Sequence, residues 1–139
     1  MFTIPTPRFR ACADKAISQS LGKPWKAFAN GPDSFDCWGF VEFVYKQGGF
    51  AFPHFSTIGT NPERISRGLI QLDSFVEKCK SRTPYSVVLM GSNSSGMGHI
   101  GIYHPSGMVY HCLERHGVVG HTPEALAGIF DQLEYWRVK

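Results

Sequence analysis

The chain reads as a single α+β domain, helices first and an antiparallel sheet after them. Three observations predict this. Apolar residues recur at helical spacing over residues 8–21 and again beyond residue 36. From Val87 onward the apolar runs are short, rich in Val, Ile and Tyr, and broken by Gly, Pro, Asn and Ser. Between two of these runs stands Pro105-Ser106-Gly107, turn residues in a loop of hairpin length. Helices segregated from strands along the chain mark an α+β layering rather than an alternating α/β one.

The elements follow in order. Phe9, Cys12, Ala13, Ala16, Ile17 and Leu21 make one apolar stripe, and Gly22 is placed to stop that helix. Gly22-Lys23-Pro24-Trp25 begins a loop that passes Phe28 and enters the turn-rich run Asn30-Gly31-Pro32-Asp33-Ser34. Phe40, Val41, Val44 and Tyr45 share a helical face, with Glu42, Lys46 and Gln47 between them, and Gly48-Gly49 ends the helix. Residues 50–55 form an aromatic loop. Asn61-Pro62-Glu63 offers an N-cap and a first-turn proline, so a helix is predicted as far as Asp73. Strands are predicted at 87–90, 99–103, 108–113, 118–119 and 135–138, with a short helix over 123–130 before the last.

Composition bounds the function. The 139 residues make one domain, 1–139, with 42% hydrophobic and 18% charged residues, which is globular rather than disordered. A net charge of +3 without a Lys/Arg run argues against a nucleic-acid partner. No stretch approaches the ~18 apolar residues of a membrane span. Met1-Phe2-Thr3-Ile4-Pro5 lacks the basic and apolar regions of a signal peptide, so cytoplasmic synthesis without one is expected. The four cysteines, at 12, 37, 79 and 112, form no C-x-x-C pair, which argues against a zinc site or a disulfide framework.

Phe35-Asp36-Cys37-Trp38-Gly39-Phe40-Val41 is the organising stretch. It sets Cys37 in the first turn of a helix, where free amides and the macrodipole favour negative charge. The thiolate is the nucleophilic form of cysteine, so Cys37 is expected to be the fast-reacting thiol of the four. Position alone leaves an inert core thiol equally open.

The histidines supply a second test. Pro105-Ser106-Gly107 suits a three-residue hairpin loop, which pairs His104 with Met108 and sets His111 opposite Gly101. His99 then shares a face with His111 at the diagonal spacing, roughly 7–8 Å between Cα atoms. A two-residue loop would send them to opposite faces. Two such histidines suit a metal, a structural pair, or a base with its orienter. Metal needs further ligands, and the nearest, His104, His116 and His121, are expected in solvent-facing turns and loops. A thiol with an imidazole base and a polar third residue fits better.

Asp36-Cys37-Trp38-Gly39-Phe40-Val41, Gly98-His99-Ile100-Gly101-Ile102-Tyr103 and His111 resemble, in order and spacing, the NlpC-type cysteine peptidase family. These are papain-like endopeptidases and amidases of peptidoglycan stem peptides. The similarity covers residues 20–138, and residues 22–39 look most like the phage-tail branch. It implies a papain-like NlpC-type fold, with Cys37 as nucleophile, His99 as general base and then acid, and His111 as orienter of His99. Trp25, Asp36 and Trp38 become candidate substrate contacts, although Asp36 also suits a helix start and Trp38 a core position. Gly39 would admit a second backbone or the substrate to the helix.

The resemblance further implies cleavage of the γ-D-glutamyl–diaminopimelate bond through a thioester, without cofactor or metal. The implied partners are peptidoglycan stem peptides and other tail proteins. The implied location is a virion tail, or the periplasm and cell wall. Two positions depart from the family pattern: Trp25 stands where tyrosine is common, and Tyr85-Ser86 where a Gly-Asp pair is usual. The alternatives are a tail-assembly subunit that keeps the fold, and an amidase or acyltransferase effector on the same scaffold.

Overall fold

Six strands form one antiparallel sheet in the spatial order β1-β6-β2-β3-β4-β5. They are β1 Val76–Lys78, β2 Val87–Ser92, β3 Gly96–Tyr103, β4 Val109–Leu113, β5 Gly117–His121 and β6 Gln132–Val138. The computed structural model describes residues 6–50, 52, 76–92 and 96–138. The helix expected over 61–73 lies outside them.

Among the described residues, two helices precede the sheet. Helix α1, Pro7–Ser20, starts where the Thr6 hydroxyl accepts the Phe9 amide at 3.0 Å, with proline in the first turn. Helix α2, Cys37–Gln47, is capped by Asp36 and closes at Gly48. A short α3, Pro123–Ala127, precedes β6. It stops three residues before the expected Phe130, with Gly128 as its C-terminal cap.

The sheet is covered on both faces. Phe9, Phe40, Val44 and Tyr45 of α1 and α2 pack with Val87, Leu89, Ile100, Ile102 and Cys112 in the main core. Val88, Met90 and Val109 point the other way, with Leu126 of α3. That is why β2, between β6 and β3, is apolar from Val87 to Gly91: a strand buried on both sides has no polar alternation. Each large side chain buried here contributes about 1.5–3 kcal/mol.

The hairpin that sets the site has the expected register. The His104 amide donates to the Met108 carbonyl at 2.7 Å and the Gly107 amide to that of His104 at 2.9 Å, with Gly107 at φ 95°. Gly101 lies opposite His111 as a result. Strand β1 has no counterpart in the sequence reading. It is a three-residue, half-polar edge that pairs with β6, too short to show a period. Strand β5 runs on through His121, beyond the expected 118–119.

Candidate active site

Asp36 builds the first half of the site. One carboxylate oxygen accepts the Gly39 amide at 2.6 Å and caps α2, while the other accepts the Phe28 amide at 3.1 Å. The Asp36 amide donates to the Ala29 carbonyl at 2.8 Å. Loop and helix are so close at Gly39 that any Cβ would collide with the Ala29 carbonyl, so glycine here admits a backbone rather than the substrate. Asp36 is buried, at 3% exposure, and its carboxylate is turned to these amides; it is a structural cap, not a substrate contact. Trp38, at 1% exposure, packs its ring 5.3 Å from Phe52 and belongs to the core rather than to a groove wall.

Cys37 is buried, at 1% exposure, near enough to the backbone amides of Ile100 and Trp38 for both to favour its thiolate. The sulfur therefore meets β3 one residue beyond His99, beside the point where the β3–β4 ladder begins at Gly101–His111. Burial pushes the thiol up to about 12, and the Asp36 carboxylate adds to the rise. The two amides act in the other direction but do not offset it. This corrects the expectation of a thiolate: the helix terminus favours the anion, and desolvation outweighs it.

The histidines form a line. The Nε2 of His99 lies 2.8 Å from the Nδ1 of His111, with ring centroids 5.0 Å apart at 70°. The Nε2 of His111 lies 2.8 Å from the Nδ1 of His121. Gly101 makes this possible: a Cβ there would stand 3.0 Å from that of His111. His99 stacks on Phe130 at 5.6 Å and 9°, facing a recess of about 300 Å³ shared with Met90, Gly91, Ser92, Gly98 and Ile129. Burial holds His99 down to about 4. Burial, then His99 and His121, hold His111 down to about 3. Near neutral pH the Cys37 thiol and the His99 and His111 imidazoles are all uncharged.

His121 was expected to face solvent from a loop and instead closes this line from β5. The signal lay in Glu114-Arg115-His116, a second three-residue loop, which pairs Leu113 with Gly117 and sets His111 opposite Val119. The diagonal neighbour of His111 is then His121. His104 is also engaged: its Nε2 lies 2.9 Å from the Asp14 carboxylate and its Nδ1 2.8 Å from the Ser106 hydroxyl, which ties the hairpin turn to α1. His116 is exposed, as expected.

The profile of the NlpC/P60 family matches residues 22–126. The chain belongs to the NlpC/P60 family. No curated protein matches it. Among solved structures it is similar to an NlpC/P60 family protein from Bacillus cereus, with TM-score 0.68 and 20% identity over 96% of this chain and 41% of that one. NlpC2 from Trichomonas vaginalis gives TM-score 0.68 and 14% identity over 97% of this chain and 48% of that one. The NlpC/p60 domain of the peptidoglycan hydrolase SagA gives 0.60 and 19% over 90% of this chain and 96% of that one. The chain thus spans nearly all of the SagA domain and less than half of the other two proteins. The likeness is one of fold: papain-like α+β, with helices packed on an antiparallel sheet.

Two positions within this NlpC/P60 fold carry the departures seen in the sequence. Tyr85 has φ 62°, a left-handed conformation that favours glycine. It is held by its amide on the Tyr103 carbonyl at 2.6 Å, its hydroxyl on Asp14 at 2.7 Å, and its carbonyl under the Tyr45 hydroxyl. Trp25 is half-buried against the main core and bridged to Phe35, two residues before the cysteine. The structure thus joins His99, His111 and His121 by bonds on the sheet face of Met90 and Phe130, while Cys37 stands in the main core with Ile100.

Proposed function

We propose that the protein is a cysteine peptidase of peptidoglycan stem peptides, with Cys37 as nucleophile, His99 as general base and then acid, and His111 as orienter. The observation that carries this is the 2.8 Å bond between His99 Nε2 and His111 Nδ1 on the strand that also holds the Cys37 sulfur. With Nε2 taken by His111, the other nitrogen of His99 is the one available for the thiol proton. Because the resting pair is neutral, the proton moves as the sulfur attacks the amide carbon, and an ion pair is not stored beforehand. The tetrahedral oxyanion is held by backbone amides, that of Cys37 among them, in the helix's first turn. His99 returns the proton to the departing amine. Water then hydrolyses the thioester by the same base.

Family membership supports peptidoglycan as the substrate class. The γ-D-glutamyl–diaminopimelate bond, and association with a phage or phage-like tail that delivers the enzyme to the cell wall, are the finer parts of this proposal. Incubation with purified peptidoglycan, with Cys37→Ala as blank and fragments identified by mass, tests them together. Release of new amino termini at diaminopimelate is expected. Fragments cut elsewhere would refute the bond, and none at all would refute the activity. One observation favours the second reading, a tail-assembly subunit on the same fold: Cys37 is buried and its thiol pushed up.

A further inference from the structure

His111 is fully buried, at 0% exposure, and both of its ring nitrogens are committed, Nδ1 to His99 and Nε2 to His121. A neutral imidazole carries one N–H and one lone pair, so the three rings can run their hydrogen bonds in only two directions. Outward, each Nε2–H donates to the next Nδ1 and the Nδ1 of His99 is a bare lone pair. Inward, every ring is protonated on Nδ1, and His99 then has no lone pair there to accept the thiol proton. A metal is a poor account of the line. Ligand nitrogens converge on one point, whereas His111 aims its two at different partners, and no group of three ligand residues suited to a metal occurs among the described residues.

We propose that His121 is a positioning residue of this site: its Nδ1 accepts the Nε2–H of His111 and so holds the line in the outward direction that leaves His99 able to act as a base. Without an acceptor at that place, a buried N–H on His111 would be orphaned, and a buried donor without a partner is more costly than an idle lone pair. His111 would then take the Nδ1–H form, turn the bond to His99 round, and put the proton of His99 where the thiol proton should go. His121 can fill this role because it stands on β5, only partly buried, at the outer end of the line. The inference rests on the peptidase reading for its catalytic meaning, but not for the tautomer it assigns.

Two substitutions separate an acceptor from a space-filler. His121→Asn keeps a carbonyl oxygen near the position of Nδ1; His121→Phe keeps the ring and removes the acceptor. Nitrogen-15 ring spectra at neutral pH should show His111 protonated on Nε2 in wild type and His121→Asn, and on Nδ1 in His121→Phe. On peptidoglycan, His121→Phe should lose roughly tenfold to a hundredfold in kcat with KM unchanged, and His121→Asn should stay within about threefold. His121→Val, suited to a strand, is the second acceptor-free variant should Phe disturb folding. The proposal is overturned if His111 keeps Nε2–H in the acceptor-free variants, or if Asn fails where Phe succeeds. A wild type without hydrolysis would refute the peptidase reading alone, since the tautomers are read on the resting protein and still decide the role of His121.

Discussion

Asp36 accepts the backbone amide of Phe28, eight residues upstream, at 3.1 Å, with the same carboxylate that caps α2. Phe28 sits at φ 66° and is 56% exposed, so neither backbone preference nor burial keeps it there. The carboxylate therefore holds both the loop and the cysteine helix, and it also faces the thiol. Asp36→Asn keeps one oxygen for Gly39 but turns an amide donor to the Phe28 amide. A stability loss of about 1–2 kcal/mol is expected in urea unfolding. The Cys37 pKa should move the other way, falling below about 12, as a neighbouring negative charge is removed. A thiol titration unchanged in this variant would show that burial alone raises Cys37.

Thiol labelling checks the correction to Cys37. Cys12 and Cys79 are partly exposed, whereas Cys37 and Cys112 are buried and both pushed up to about 12. In the folded protein near neutral pH, iodoacetamide should reach Cys12 and Cys79 first, with Cys37 as slow as Cys112. Peptide mapping over a time course gives the four rates. Cys37 labelling ahead of the others would restore the helix-terminus thiolate.

The neutral histidines predict acid sensitivity. Their folded pKa values, about 4 for His99 and about 3 for His111, lie below the ordinary 6.5. As pH falls below the ordinary value, the unfolded chain takes up protons that the folded one refuses. Their stabilisation is thus fully present above about pH 6.5, declines as pH falls, and is lost through the folded values. While only the unfolded chain is protonated, each imidazole removes about 1.4 kcal/mol per pH unit. Urea midpoints from about pH 7 to about pH 4.5 should fall more steeply for wild type than for a His99→Gln, His111→Gln double variant. Parallel slopes would mean that carboxylates account for the whole effect.

What the sequence made legible is what local chemistry dictates. Pro105 and Gly107 specify a loop of odd length, and that alone puts His99 and His111 on one face. Asp36 marks the start of α2 with the carboxylate an N-cap wants, and Gly48-Gly49 marks its end. The misses are long-range. The thiol of Cys37 is set by the sheet, the core and the loop packed around it, not by its place in the helix. Trp38 reads as an amphipathic residue near a nucleophile until Phe52 is seen against it. His121 needed the register of β4 on β5 and then of β3 on β4, two hairpins in series.

Trp25 separates a working peptidase from a retained scaffold. It is half-buried, bridged to Phe35, and stands where the family pattern has a tyrosine. Indole offers a donor N–H and a broad apolar face, but no hydroxyl. If the enzyme is active, the aromatic area beside the thioester matters and the oxyanion is left to backbone amides. Trp25→Tyr should then keep peptidoglycan hydrolysis within about tenfold, a barrier change of about 1.4 kcal/mol, and Trp25→Ala should lose much more. An inert wild type that Trp25→Tyr switches on would mean that the hydroxyl was the missing catalytic part, and the natural protein would be a structural member of a peptidase fold. Rates of the three proteins on one peptidoglycan preparation, against Cys37→Ala, distinguish these outcomes. The comparison holds only if Trp25→Ala stays folded. The bridge to Phe35 is made by backbone atoms, so removing the indole leaves that tie to the cysteine helix in place.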